Sequence, residues 1–433
     1  MTHFGAILDE PSQNSSVLDL RPMARIERVI RSVIRKGQLT VIDAAGRRRL
    51  FRGQLPGPEI TVRLRGRRLP LRLLFNPSLA LGEAYMDGNL VLEHGSLRDL
   101  LDLLTEDLPT IESRPIQKLN AALGRRRIRR NHRQQAQANA EHHYDLSGAL
   151  YDLFLDADRQ YSCGYFRTGN ETLEEAQMAK KRHVAAKLML EPGSTVLDIG
   201  SGWGGLALNL AKDEGAQVTG ITLSVEQLEH ARSRAKSSGL SGQVRFDLLD
   251  FRDIRETYDR IVSVGMFEHV GNADYPAFFD TVARSLRADG IALIHSIGRM
   301  EPPGGSDPWI SKYIFPGGYI PALSEVLAAV EKSGLWVTDI EILRVHYADT
   351  LRQWHDRFQA RREEAVALYD ERFCRMWEFY LAACEMLFRN GPLMVFQLQL
   401  SHRKDAVPLT RDYIAEYEDA PETPRKAAAG QPS

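Results

Sequence analysis

Apolar and polar positions repeat with two different periods along the chain. From residue 195 onward, short apolar runs rich in Val, Ile and Leu alternate with longer amphipathic stretches. TVLDIG (195–200), QVTGIT (217–222), VRFDLL (244–249), DRIVSVGM (259–266) and IALIHSIG (291–298) have the length and β-branched content of buried strands. LALNLAKDEG, SVEQLEHARSRAKSSG and YPAFFDTVARSLRADG lie between them and repeat their apolar residues at helical spacing. This alternation predicts an α/β fold with a parallel, doubly wound sheet. Beyond the fifth strand the pattern predicts a helix over 322–333, a strand over 335–345, two helices between 348 and 390, and a last strand VFQLQLS (395–401). Two helices inserted before a closing strand are expected to cap something. Upstream, 145–155 and 173–189 read as helices separated by a loop carrying Tyr161, Ser162 and Cys163.

The first third reads differently. Residues 22–36 form an amphipathic helix with Met23, Ile26, Ile30, Val33 and Ile34 on one side and arginines mostly elsewhere. Residues 60–74 alternate apolar positions with Arg, as a half-buried strand or hairpin does, and 97–104 reads as a short helix. GRRRIRRNHR (124–133) opens a polar stretch that suits a linker or a subunit contact. The expected organisation is a basic α+β domain over 1–134, the α/β domain over 135–402, and a loose polar tail over 403–433.

Charge sharpens this division. The net charge of −1 conceals 24 Lys and Arg against 14 Asp and Glu in residues 1–133, and 32 against 43 thereafter. A basic end joined to an acidic remainder points to a polyanion, either nucleic acid or an anionic membrane surface. With 43% apolar and 26% charged residues the chain is an ordinary globular one, which excludes disorder or coiled coil as its main description. No apolar run reaches the roughly 20 residues needed to span a bilayer, and the acidic start lacks the features of a secretory signal. Cys163, Cys374 and Cys384 have no metal-ligand spacing, so no metal centre is expected; reduced thiols suit a cytoplasmic location.

Asp198-Ile-Gly200-Ser-Gly202-Trp203-Gly204-Gly205 ends a predicted strand and opens a predicted helix. A glycine loop of this form fits a dinucleotide or S-adenosylmethionine. Two features favour the sulfonium ligand. Asp198 stands two residues before the first glycine, where a carboxylate meets the methionine end. The second strand ends in Thr222 and Ser224, without the acid expected for an NAD ribose. Asp250, after the third strand, is expected to contact adenine.

Several spaced blocks, HHYDLSGALYDLFLD, YSCGYF, VLDIGSGWGGLAL, GITLSVEQLEHAR, DRIVSVGMFEHVG, HSIG and HYADTLRQWHDRF, together resemble the cyclopropane fatty acid synthase family over about residues 140–402. The resemblance implies a Rossmann-like class I S-adenosylmethionine-dependent methyltransferase that methylates the cis double bond of a phospholipid acyl chain. The resulting cation loses a proton from the added methyl and closes to a cyclopropane. Carried over by block, cofactor contacts fall on Tyr161, Ser162, the loop from Val196 through Gly200, Gly202 and Trp203 to Gly204, and Thr222, Ser224 and Gln227. The family's proton acceptor, a bound bicarbonate, would be held by the Cys163 region, Glu268, His295, the Ile297 backbone and Tyr347. Cys384 matches a cysteine assigned to the family's active site. Its helix nonetheless reads as core, where a cysteine behaves as a small hydrophobe.

The chemistry is consistent with these residue types. An alkene is a weak nucleophile, so the enzyme must press the methyl donor against it in a dry, oriented site. A small bound anion accepts the proton while protein carboxylates stay behind it. Glu268 beside an anion requires that one of the two carry a proton, which predicts a perturbed titration. The arginine-rich end suits an anionic bilayer, with a homodimer as a second use of that region. Methyl-branched products or small-amine substrates on the same domain remain open alternatives. An RNA methyltransferase is disfavoured: Gly-Met-Phe-Glu-His-Val after the fourth strand lacks the Asn/Asp-Pro-Pro-aromatic signature, so nucleic acid is not an expected partner. Phe278, Phe279, Trp309, Tyr313 and Phe315 are expected to line a lipid tunnel.

Overall fold

The computed structural model describes residues 17–106 and 148–420, with side chains from residue 24 onward. The chain separates into two compact units, Met1–Ile111 and Glu112–Ser433. The boundary expected near residue 135 and the arginine run before it lie outside the described residues.

In the first unit, α1 (Val17–Val33) leads into β1 (Lys36–Ile42), β2 (Arg48–Arg52) and β3 (Leu55–Leu64). α2 (Leu69–Phe75), α3 (Pro77–Met86), β4 (Leu90–His94) and α4 (Leu97–Thr105) follow. The sheet order is β2-β1-β3-β4. Inward residues Leu39, Val41, Phe51, Ile60, Val62 and Leu64 pack with Val33, Ile34 and Leu100 into one core. Arg25, Arg28, Arg31 and Arg35 stay on the exposed side of α1 and the turn after it. The alternating stretch 60–74 is not a hairpin. Its first half ends β3 at Leu64, and its second half is the helix α2, with Pro70 in the first turn. Proline has no N–H to lose there and its φ suits a helix start, so it ends the strand pattern and begins a helix.

The second unit holds α5 (Gly148–Phe154), α6 (Leu173–Leu188), β5 (Thr195–Ile199), α7 (Gly205–Glu214), β6 (Gln217–Thr222), α8 (Val225–Ser237), β7 (Val244–Leu248), β8 (Tyr258–Val264), α9 (Tyr275–Ser285) and β9 (Leu286–Arg299). After these come α10 (Pro308–Tyr313), α11 (Leu323–Ser333), β10 (Trp336–Leu343), α12 (His346–Ala360), α13 (Arg362–Leu368), α14 (Glu371–Arg389), β11 (Leu393–Ser401) and α15 (Asp412–Asp419). The seven strands run β10-β11-β9-β8-β5-β6-β7. The expected doubly wound sheet is present, and β5 to β9 pair in parallel. Only β11 departs, lying antiparallel between β9 and β10. The strand order reverses beside β5, which opens a crevice at the carboxyl edges of β5 and β8.

Helices cover both faces of this sheet. Phe267, Phe278, Phe279 and Tyr275 stack with Val282, Ile261 and Phe396 on one side, all fully or nearly fully buried. Each such phenylalanine contributes roughly 1.5–3 kcal/mol by burial. Phe278 and Phe279 therefore belong to the core, and not to a tunnel. The insertion before β11 contains three helices, because the chain breaks at Arg361 between α12 and α13. Among the described residues no helix is long and apolar enough to cross a membrane.

The expected loose tail also differs. α15 packs on α6, where Glu418 bonds His183 Nδ1 at 2.6 Å and Arg182 lies over the Tyr417 ring. Glu341 on β10 bonds the other His183 nitrogen at 2.7 Å and also meets the buried ammonium of Lys187. Burial alone would raise the Glu341 carboxyl, but the His183 hydrogen bond and the Lys187 charge hold it well below the usual carboxylate range. Its stabilising contribution is therefore complete above the ordinary carboxylate value of 4.5 and is lost as pH falls below it. Glu341→Gln is expected to cost about 3 kcal/mol at pH 7. The wild-type advantage in melting midpoint should shrink below pH 4.5; a deficit that stays constant through that range would contradict this assignment.

Candidate active site

Two cavities open at the carboxyl edge of the sheet. The first lies over the turn after β5. The Gly200 and Ser201 N–H groups both donate to Ile221 O at 2.9 Å, folding the chain back sharply. Gly200 has φ +86°, and a Cβ there would meet Met266 at 2.7 Å, so only glycine fits. Gly200, Gly202 and Trp203 line this cavity together with Tyr161, Ser162, Asp198, Thr222, Ser224, Gln227 and Asp250. Gly204 does not. It starts α7 at φ +83° with its open side against Phe246 and Ala231, so its role is close packing of helix on sheet, and Gly205 takes its place in the wall.

Polar groups on this rim are mostly tied to one another. Thr222 Oγ1 donates to Gln227 Oε1 at 2.9 Å, and Ser224 caps α8. Asp250 accepts from the Arg252 backbone at 2.9 Å and from its guanidinium at 3.0 Å. Asp198 is the exception. It is 2% exposed, and its Oδ2 has no hydrogen-bond partner among the described residues. Burial pushes its carboxyl up to about 7 despite the nearby Lys180. A buried carboxylate facing a cavity with an oxygen unpaired is costly unless a cation arrives to complete it. That is the environment a sulfonium or ammonium ligand supplies, and the glycine turn leaves room for its approach.

Lys180 went unnoticed in the sequence. It sits on α6 in line with Ala176, Val184 and Leu188, all buried, and a lysine on that stripe was the available signal. Its Nζ donates to Gln160 Oε1 at 2.6 Å and Ser162 Oγ at 2.8 Å. Burial pulls its ammonium down to about 8.

The second cavity adjoins the first; both are walled by Tyr161, Ser162, Gly265 and His269. It is lined largely by apolar groups from three places. The segment after β9 supplies Ile310, Phe315 and Ile320, α12 supplies Leu351, and α14 supplies Leu387 and Phe388. The inserted helices thus cap this cavity. Trp309 is buried against Tyr313 and Phe379, so of the aromatics expected along a tunnel only Phe315 lines it.

Cys163, Glu268, His295, Ile297, Tyr347 and Cys384 all line this one cavity, although they come from a loop, the turn after β8, the strand β9 and two helices. Glu268 lies on a single 3₁₀ turn after β8. Its Oε1 accepts from the Ile297 N–H at 2.7 Å, so that backbone donor is already engaged; the Ser296 hydroxyl also bears on the carboxyl, and Oε2 has no hydrogen-bond partner within normal distance among the described residues. Burial pushes Glu268 up to about 7. His295 is driven down to about 3, first by burial and then by the positive charge of Lys180, so its ring is neutral at ordinary pH. Both cysteine thiols are pushed up by burial and stay protonated; Cys163 Sγ donates to Gly164 O at 3.2 Å. Tyr347 packs on Phe388, with ring centres 4.8 Å apart. Tyr161 stacks on Trp354 at 5.2 Å and shares a 2.8 Å hydrogen bond with Tyr380. The arrangement is a largely apolar chamber in which Glu268 Oε2 is unfilled, both thiols are protonated, and the Asp307 carboxyl, tied to the start of α10, lies in the wall.

The sequence model of the mycolic acid cyclopropane synthetase family matches residues 131–398. A probable fatty acid methyltransferase from Pseudomonas putida is 38% identical over 354 residues, 79% of this chain and 87% of that protein. The cyclopropane-fatty-acyl-phospholipid synthase of Escherichia coli K12 is 38% identical over 335 residues, 76% of this chain and 85% of that one. Among solved structures, a cyclopropane synthase from Mycobacterium tuberculosis superposes with a TM-score of 0.59 at 35% identity, covering 61% of this chain and 97% of the other. A mycolic acid cyclopropane synthase in complex with SAH and CTAB gives 0.58 at 36% identity over the same shares. With a cofactor crevice suited to a sulfonium and an apolar chamber against it, the chain belongs to the mycolic acid cyclopropane synthetase family and is an S-adenosylmethionine-dependent methyltransferase.

Proposed function

We propose that the enzyme converts the cis double bond of a phospholipid acyl chain to a cyclopropane, with bicarbonate held in the second cavity as proton acceptor. The observation that carries this reading is the partnerless Glu268 Oε2 in an otherwise apolar chamber joined to the cofactor crevice. When bound, S-adenosylmethionine supplies an electrophilic methyl and bicarbonate supplies the base.

The protein's own groups act around these two. Asp198 holds the cationic end of the donor, and Tyr161 and Ser162 form the wall between donor and alkene. The apolar lining excludes water that would otherwise capture a carbocation. The Tyr161 ring offers a π face to positive charge. Glu268, raised toward neutrality, is protonated often enough for Oε2 to donate to an anion. His295 and Tyr347 add donors without adding negative charge. The thiols of Cys163 and Cys384 remain neutral and shape the wall, so no covalent enzyme intermediate is needed.

A phospholipid substrate requires contact with a bilayer, and the first unit has a surface for it. α2 and the turn before it carry the exposed Arg65, Arg67, Arg68 and Arg72, the last paired with Glu83, together with Leu71, 45% exposed, and Phe75, 77% exposed. Basic residues near an anionic surface contribute about 1 kcal/mol each, and exposed apolar side chains insert at the interface. This reading places the enzyme peripherally on the inner face of the membrane, and a homodimer would present two such surfaces.

The central test incubates the protein with methyl-labelled S-adenosylmethionine and liposomes of cis-unsaturated anionic phospholipid, with and without bicarbonate. Label should enter a ring-bearing acyl chain, less of it without bicarbonate, and Glu268→Gln should abolish the bicarbonate response. Label in a methyl-branched or olefinic chain would overturn ring closure, and no label in lipid would overturn the substrate. Calorimetric binding of S-adenosylmethionine should weaken as pH falls below about 7, where Asp198 takes up a proton. Asp198→Asn should bind roughly 10- to 100-fold more weakly and lose that pH dependence; an unchanged affinity would remove Asp198 from the donor site. Phe75→Asp should reduce co-sedimentation with anionic liposomes while leaving S-adenosylmethionine binding intact. Equal sedimentation would place membrane contact elsewhere.

A further inference from the structure

The sheet carries a row of polar residues behind the acyl cavity. In the register of adjacent strands Glu341 on β10 pairs with Gln397 on β11, and Gln397 pairs with His295 on β9. Paired residues share a face of the sheet. Glu341 is satisfied by His183 and Lys187 from α6. Gln397 is 1% exposed and outside both cavities, and its Nε2 lies 3.2 Å from His295 Nδ1. Its Oε1 has no partner, so this contact is the amide's only side-chain hydrogen bond among the described residues.

His295 is neutral, and a neutral imidazole carries one N–H. If Nδ1 accepts from the Gln397 amide, the proton must reside on Nε2. Nε2 makes no hydrogen bond among the described residues, and His295 lines the cavity, so this second nitrogen is the one turned toward it.

We propose that Gln397 is a positioning residue that fixes His295 as the Nε2–H tautomer, so that the imidazole presents a donor to the acyl cavity and cannot serve as the base. The inference rests on the reading of this cavity as an anion site, and it divides the labour there. With its lone pair tied to the amide, His295 holds a proton acceptor in place and does not compete with it. An amide suits this task because it donates without charge; a carboxylate at the same position would draw the ring proton to Nδ1 and leave a lone pair facing the cavity.

The test uses the full-length protein labelled with ring-15N histidine, with the His295 signals assigned by comparison with His295→Gln. Wild type should show a protonated Nε2 and an unprotonated Nδ1. Gln397→Glu should move a proton onto Nδ1. Gln397→Met, which fills similar space without a donor, should release the fixed tautomer and raise the bicarbonate concentration for half-maximal ring formation about tenfold. Binding of S-adenosylmethionine, measured on the same samples, should not change. A wild-type proton on Nδ1, as a reversed amide would impose, overturns the proposal, as does a His295 signature unaltered in both variants. If the tautomer responds as stated while ring formation ignores bicarbonate in every sample, the tautomer assignment is supported and the anion reading of the cavity fails.

Discussion

Lys180 reaches from α6 to Ser162 and Gln160, and those two hydrogen bonds hold the loop that walls both cavities. The loop has little regular structure of its own. It is fixed by groups brought to it: the Gln160 N–H donates to Asp156, Gln177 donates to the Ser162 carbonyl, and the Gly164 N–H donates to Thr350. The fastenings come from three places, with α6 supplying both Lys180 and Gln177, so the wall depends on α6, α12 and the segment before the loop together. A buried ammonium is costly to maintain. Here its cost is offset by the acidic groups that surround it, Asp156 and Asp158 among them. The same positive charge also bears on Asp198 and His295. One side chain thus fixes the partition between the cavities and biases the charge state of a group in each.

The remaining architecture can be understood as support for that partition. Strand order places β5 and β8 side by side, so the glycine turn and the Glu268 turn emerge at the same edge. The insertion between β10 and β11 then roofs the edge with α12 and α14, which contribute Tyr347, Tyr380 and Cys384. Without that roof the Glu268 carboxyl would be solvated and would titrate near its ordinary value. With it, burial keeps the carboxyl close to neutral. The long helices before β11 therefore create the electrostatics of the acyl site as well as its shape.

Much of this was legible in the sequence because it depends on short-range pattern. The strand and helix alternation, the glycine turn and the acid before it are local features, and local features set local structure. Residues spread from Cys163 to Cys384 were grouped by resemblance to spaced motifs, and the fold brings all six to one cavity. What failed to show depends on packing. Phe278 and Phe279 look like tunnel residues by type, but helix α9 turns both toward the sheet. Residues 60–74 alternate through Gly66 and Pro70, where the backbone changes from strand to helix without a change in hydropathy. α15 looks like polar tail because its anchors, Tyr417 and Glu418, find their partners more than 200 residues earlier, at Glu214 and His183. Lys180 and Gln397 were missed for the same reason. A single polar residue inside an apolar element gains meaning only from what packs opposite it.

Ring formation, as proposed, would set a condition on this chamber. After methyl transfer the carbocation is harmed by any strong nucleophile within reach, so a base must be available without a free carboxylate or thiolate against the chain. The candidate nucleophiles in the chamber are restrained by separate physical causes, and Asp307 has one oxygen engaged by the Trp309 and Ile310 N–H groups. Burial keeps both thiols protonated. Glu268 is held partly neutral by burial, with one oxygen occupied by the Ile297 N–H. His295 has one nitrogen engaged by Gln397. The aromatic wall around Tyr161 and Tyr380 offers π faces, which stabilise positive charge without forming a bond to it. On the proposed reading, a chamber built this way would tolerate a cation until a proton leaves the added methyl, and the choice between a ring and a branched chain would depend on where the acceptor is held.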